Sequence, residues 1–233
     1  MDSSNVKPLS YNASLDHRIQ IQNTIATMNQ VRDGQDIRTY SASVRKEILS
    51  ADTIDIMKKN GKDIISVVPK LALVVVSSQF RDYLSKNPEA TSIKITQDLV
   101  DDKAVGMLMG CVKAIIRSSD KRFGVGLPIG TPEEKAVSII RIRHAAHALG
   151  MEQYVTHFIR EYKADIRQHM PPPDEVATME CLALKEKDDL LDALGERLGY
   201  LRCTGKFTHE RLPRVQAVLD RHSKVAQAVV EAD

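Results

Sequence analysis

The chain has 233 residues, of which 42% are hydrophobic, enough to bury one generous core or one domain with helical additions, so disorder throughout is excluded. Its 33 basic residues nearly balance 31 acidic ones, leaving a formal charge of +2. That field is too weak to hold a phosphate polymer or an anionic membrane, and a nucleic-acid partner is not expected beyond a local patch.

Three cysteines, Cys111, Cys181 and Cys203, are odd in number and far apart, without a CxxC pair. They form neither a disulfide framework nor a thiolate cage, and point to reduced thiols in a cytoplasmic or nuclear protein. The first residues, "MDSSNVKPLSYNASLDH", carry no basic segment leading into an apolar run, so no secretory signal is expected. The longest apolar run, Leu71 to Val76, is too short to span a bilayer. A soluble protein is expected.

A polar opening up to about Asn12 reads as loose. Leu15, Ile19, Gln22 and Ala26 then share one helical face, with Ile25 and Met28 nearby and Ser14 as an N-cap, which predicts an amphipathic helix ended by "RDGQD" at 32–36. Such an arm folds back on its own domain or docks on another chain. Next, "TIDIMKK" and "KDIISVV" flank Asn60-Gly61, the pair that supplies the positive φ angles of a two-residue type I′ turn, and predict a β-hairpin. Ile54 and Ile56 alternate on one strand, and Ile64, Ser66 and Val68 on the other.

Pro69 suits the first turn of a helix, and "KLALVVVSSQFRDYLSKN" keeps Leu73, Val76, Phe80, Tyr83 and Leu84 at helical spacing, so one helix is predicted there. "TSIKITQ" alternates as a third strand. From Asp101, Val105, Leu108, Met109, Val112, Ile115 and Ile116 define a helix with an acidic start, whose other face carries Lys113 and Arg117. "SSDKRFGVGLPIG" interrupts as a loop. Its three glycines precede a helix, but their spacing departs from the dinucleotide fingerprint and Pro128 removes an amide donor, so a phosphate loop is not expected.

Thr131, Pro132 and Glu134 form a capping box opening a helix to about Leu149. Gly150 stops it, and a further helix carries Val155, Phe158, Ile159, Tyr162 and Ile166 on one stripe. Beyond "HMPPPDE", a short helix is expected near Val176 to Leu184, then "KEKDD" (185–189) as a solvated junction, then a helix with Leu191, Leu194, Leu198 and Leu201 on one face. Val215, Val218, Leu219, His222, Val225, Ala226, Val229 and Val230 predict a single closing helix. The predicted fold class is α+β and mostly helical, a small β-sheet flanked by helices with added C-terminal helices.

The segment "RIRHAAHALGMEQYVTHFIREY", Arg141 to Tyr162, holds three of the seven histidines. A zinc-peptidase helix needs its histidines four apart with a glutamate beside the first, whereas His144 and His147 are three apart with Ala145 and Ala146 between. Together with His157 they read as packing or surface residues. No GxSxG elbow, P-loop or buried carboxylate pair stands out, and with no Trp and 4% aromatic residues there is little for base stacking. No catalytic residue, metal or cofactor is expected, and a divergent enzyme or metal protein is the least favoured class.

The order of hairpin, helical stretch, strand, helix and helix–Gly–helix resembles the BTB/POZ domain, in its divergent fungal form, over about residues 52–166. "KLALVVVSSQFRDYL" is similar to that family's helical stretch ending in Ser-x-x-Phe, with Ser77 and Phe80 in place. "TSIKIT" resembles the third strand, "DDKAVGMLMGCVKAII" the next helix and "IIRIRHAAHALGMEQYVTHFIREY" the closing pair, in which Ala145, Ala146 and Ala148 allow close approach, Leu149 and Met151 bracket the turn, and Val155, Phe158 and Ile159 fill the seam. Departures are Pro69 before Lys70 in place of a histidine, "IIRSSDKRF" in place of Tyr-Thr-Gly, and no hydrophobic-x-Glu element of cullin-binding members near "LSKNPEA".

The resemblance implies residues 1–47 as a flexible start plus helix, 48–168 as a BTB/POZ-like domain and 169–233 as a helical extension. Phe80, Leu108, Val112, Leu149 and Phe158 are the expected core. It also implies a non-catalytic adaptor that binds protein partners, itself as a homodimer among them; a substrate adaptor of a cullin-type ubiquitin ligase is the alternative. The expected interaction surface is Leu15, Ile19, Ile25 and Met28, with Val218, Val225 and Val229 as a second stripe.

Overall fold

A computed structural model describes residues 11–118, 125–184, 188–206 and 212–232. The chain is α+β and mostly helical, with one three-stranded mixed sheet. Its contacts divide it into two compact units, residues 1–96 with 109–123, and residues 97–108 with 124–233. This division falls elsewhere than the boundaries at 47/48 and 168/169 read from the sequence. The loose opening expected before residue 11, and parts of "SSDKRFGVGLPIG" and "KEKDD", lie outside the described residues.

The first unit begins with α1 (Tyr11–Gln30), which starts ahead of the expected cap Ser14. α2 (Ala42–Leu49) follows, capped by Ser41, whose hydroxyl accepts from the Val44 amide. The hairpin joins β1 (Thr53–Met57) to β2 (Ile64–Pro69), antiparallel, with Ile54 opposite Val68 and Ile56 opposite Ser66. The two-residue turn is not formed. Only Gly61 takes a positive φ, 68°, where type I′ needs two such residues. Asn60 instead uses its side-chain carbonyl to accept from the Lys62 amide at 2.9 Å, and the loop closes between Lys58 and Asp63. The register slips between Ile56 and Met57, which breaks the alternation and leaves Ile64 exposed while Ser66 and Val68 stay buried.

The single helix expected after Pro69 is two, α3 (Lys70–Val76) and α4 (Ser78–Lys86), with Pro69 ending β2. Ser77 makes the break: its extended backbone ends α3, and its hydroxyl caps α4 by accepting from the Phe80 amide at 3.0 Å. The Ser-x-x-Phe spacing thus has a local physical meaning, a cap three residues ahead of a buried ring. Val74, Val75 and Val76 are helical and fully buried despite their strand propensity, because packing overrides it. These helices carry the chain back across, so that β3 (Ser92–Lys94) pairs with β1 in parallel, the geometry that a crossover connection allows.

α5 (Asp102–Arg117) runs through the division, residues 102–108 grouping with the second unit and 109–117 with the first. Its six expected apolar positions are all buried, Leu108 and Val112 among them. Within the first unit, Arg45 is buried and donates to the Ile115 carbonyl at 3.0 Å, and Lys70 is buried and donates to the Pro88 carbonyl at 2.7 Å. Burial lowers the Lys70 pKa, against the pull of Asp52 and Glu89.

The second unit is helical: α6 (Pro132–Ala148), α7 (Thr156–Ile166), α8 (Pro173–Leu182), α9 (Asp189–Cys203), α10 (Leu212–Leu219) and α11 (Ser223–Ala232). The Thr131–Glu134 capping box forms in both directions. Gly150, at φ 63°, closes α6, and Leu149, Met151, Val155 and Phe158 are buried in the seam behind it. The single closing helix is instead α10 and α11, parted at Asp220–His222. Glu180 of α8 explains the break: its carboxylate accepts from the Lys224 and Val225 amides at 3.0 and 3.1 Å, capping a new helix start. α11 packs on α9, where Gly195 lets the backbones meet.

Candidate interaction surface

α1 carries two apolar stripes. Ile21 and Met28 fall on one with the half-buried Thr24 and Ile25, and this is the face packed into the first unit. His17, on the same side, pairs with Asp52. Leu15 and Ile19, on the other stripe, are 49% and 48% exposed, next to exposed Gln22 and Ala26. The expected arm surface therefore separates: Leu15 and Ile19 are open, Ile25 is half-buried, and Met28 belongs to the core. Ile21, not named from the sequence, is the anchor of the inner face; its spacing of seven from Met28 was the available signal.

The same unit exposes Ile64 and Val67 on β2, an edge strand, and Tyr83 on α4. An edge strand offers unpaired backbone groups as well as side chains to a partner. In the second unit, Leu99 and Ile129 are exposed beside an open groove of about 1060 Å³ that Val137 and Ala177 also line.

The second expected surface stripe is corrected by burial. Val225 and Val229 are inside the second unit, where α11 packs on α9, and are unavailable to a partner. Val218 is half-buried and, with Leu219, lines a small cavity with Pro171, Pro172 and Val176.

The three imidazoles of the alanine-rich segment have separate partners. His144 Nδ1 lies 3.2 Å from the Leu182 carbonyl, His147 Nδ1 2.9 Å from Glu152 and His157 Nε2 3.0 Å from the Val125 carbonyl. Burial lowers the His144 pKa, a carbonyl contact opposing it. Among the described residues no group of three His, Cys, Asp or Glu is placed to hold a metal ion. Burial pushes the Cys111 thiol up to about 11, so at neutral pH it is a packed thiol; Cys181 and Cys203 are exposed.

The second unit also buries polar groups that no local sequence pattern marks. Glu175 is fully buried between the Tyr162 hydroxyl, which donates to it at 2.7 Å, and His169 Nε2 at 3.0 Å. Burial, and then the adjoining Glu175 carboxylate, push the Tyr162 phenol well above its ordinary value. His169 is held from its other side too, Nδ1 lying 2.9 Å from the Asp165 carbonyl. Asp188, expected in a solvated junction, is buried instead. It caps α9, accepts from the Leu184 amide and meets Arg143 Nη1 at 2.8 Å. Its sign pattern was visible in "KEKDD", but not the arginine of α6 that reaches it.

No family model matches this chain, and neither a curated protein nor a solved structure shows significant similarity to it. Among the described residues no helix is long and apolar enough to cross a membrane.

Proposed function

We propose that this chain is a non-catalytic protein–protein interaction module of the BTB/POZ-like kind, working in the cytoplasm or nucleus, that self-associates through the outer face of α1. The observation that carries the reading is the half-exposed Leu15 and Ile19 pair on a helix whose opposite face, Ile21 and Met28, is already buried in its own unit. A helix anchored on one side presents the other as a ready surface, with no folding cost left for the arm itself. The order of elements supports the BTB-like part: a hairpin, a helical pair parted at Ser77-x-x-Phe80, a third strand beside β1, and α6 and α7 joined at Gly150.

Burying two half-exposed aliphatic side chains contributes roughly 1 kcal/mol each, so about 4 kcal/mol across a symmetric pair of copies. That corresponds to about a thousandfold in the dimer dissociation constant. Light scattering coupled to size exclusion tests this. At tens of micromolar the native chain runs as a dimer, and Leu15→Asp with Ile19→Asp runs as a monomer that keeps the far-ultraviolet circular dichroism of the native chain. A native chain that stays monomeric throughout that range overturns the proposal.

A further inference from the structure

A second feature, independent of self-association, lies between α7 and α9. A cavity of about 480 Å³ is lined by four cations, Lys163, Arg167, Arg197 and Lys206, by Tyr200, and by a single carboxylate, Glu196. For a chain whose total formal charge is +2, this is a marked local excess. Lys163 is loosely offset by Asp189 at 3.8 Å, but Arg167, Arg197 and Lys206 have no carboxylate within ion-pair distance among the described residues.

Attraction to helix C-termini accounts for Lys163 and Arg167 at the end of α7 and for Lys206 just past the end of α9. It does not account for Arg197, which lies inside α9 and is held in place. Its Nε donates to the His169 carbonyl at 3.1 Å, and the His169 ring is itself fixed between the Asp165 carbonyl and the buried Glu175. The terminal nitrogens of Arg197 are left to other work. Tyr200 shares the positive field: the Lys206 ammonium donates to its hydroxyl at 2.6 Å and lies 4.8 Å from its ring centroid, with the Arg197 guanidinium at 5.8 Å. With its oxygen accepting from Lys206, the phenol O–H is free to donate.

We propose that this cavity binds a small molecule bearing two adjacent phosphoryl groups. Arg197 and Arg167 would form the charged fork, Lys206 a point charge, and the Tyr200 hydroxyl a directed donor. The chemistry follows from the donor set: guanidinium forks match phosphate oxygens in pairs, and several cations held within one concavity repel each other until a multiply charged anion joins them. The volume is in the range of small-molecule sites and exceeds what a lone orthophosphate would fill.

Titration calorimetry on the full chain at low salt tests it, with inorganic pyrophosphate, orthophosphate, ADP and adenosine as probes. Pyrophosphate and ADP saturate one site, orthophosphate binds more weakly and adenosine does not bind. Arg167→Gln with Lys206→Gln, both exposed positions, weakens pyrophosphate by roughly tenfold or more while leaving the ligand-free melting temperature unchanged. ADP binding tighter than pyrophosphate assigns the site to nucleotides; equal binding assigns it to the phosphoryl groups alone. No saturable binding at millimolar pyrophosphate, binding that the double variant leaves intact, or binding only to vesicles of anionic lipid overturns the proposal.

Discussion

Removing the Asp188 carboxylate should cost far more stability than its place in a charged stretch suggests. The Asp188 side chain has no solvent exposure, and Arg143 is 11% exposed. The carboxylate accepts from Arg143 Nη1 at 2.8 Å and from the amides of Leu184, Leu190 and Leu191 at 2.8, 2.9 and 3.2 Å. Asp188→Ala therefore removes a helix cap and strands a buried guanidinium. The stranded charge costs about 3–5 kcal/mol, and the cap adds about 1 kcal/mol that overlaps with it. In Asp188→Ala with Arg143→Met only the cap and the Leu184 amide are missing, so the cost falls to about 1–2 kcal/mol and the two changes couple by at least about 2–3 kcal/mol, more by whatever Arg143→Met costs alone.

Urea denaturation followed by far-ultraviolet circular dichroism reads both variants, with separate transitions fitted where the two units unfold separately. The pH dependence gives a second readout. Burial raises the Asp188 pKa, but the Arg143 hydrogen bond and the amides of Leu184 and Leu191 outweigh it and hold the group below its ordinary 3.8. A depressed folded pKa contributes stability above the unfolded value that is lost as pH falls through the folded one, so the loss sets in below about pH 4 and is absent from Asp188→Ala. A single-variant cost under about 1 kcal/mol, or a double variant as unstable as the two singles summed, would refute the buried-pair account.

Two further changes test the packing of each unit. A Cβ at Gly195 would lie 2.7 Å from the Ala228 backbone, so Gly195→Ala should push α11 off α9 and cost at least about 1–3 kcal/mol in a thermal melt, against a gain if α9 were free on that side. Phe80, 3% exposed, should cost about 3–5 kcal/mol as Phe80→Ala in the same assay, and a loss under about 1 kcal/mol would mean its ring is not a core anchor.

Local chemistry was legible from residue order. Thr131, Pro132 and Glu134 cap α6 wherever the helix is placed, the period of α5 marks its buried face, and Gly150 stops a helix because it can take a positive φ. Phe80, Leu108, Val112 and Phe158 follow from the same periods and are buried, as is Leu149 at the turn. Each of these depends on neighbours within a few positions.

Decisions that depend on distant partners were not legible. Periodicity marks apolar residues on two sides of α1 but not which side meets the rest of its unit, so nothing local shows that Ile21 and Met28 are the buried pair. The valine run from 215 to 230 reads as one helix until Glu180, some forty residues away, offers its carboxylate to the amides of a second start. Ser77 could extend a helix or cap the next, and the need to bury the Phe80 ring chose the cap. Asp188 and Arg143 lie in separate helical segments, and only their burial together turns two ordinary surface residue types into an ion pair. Helix period, caps and turn residues act through the backbone close at hand, whereas the side of a helix that becomes inner, and the partner a charge meets, are set by which surfaces exclude water together.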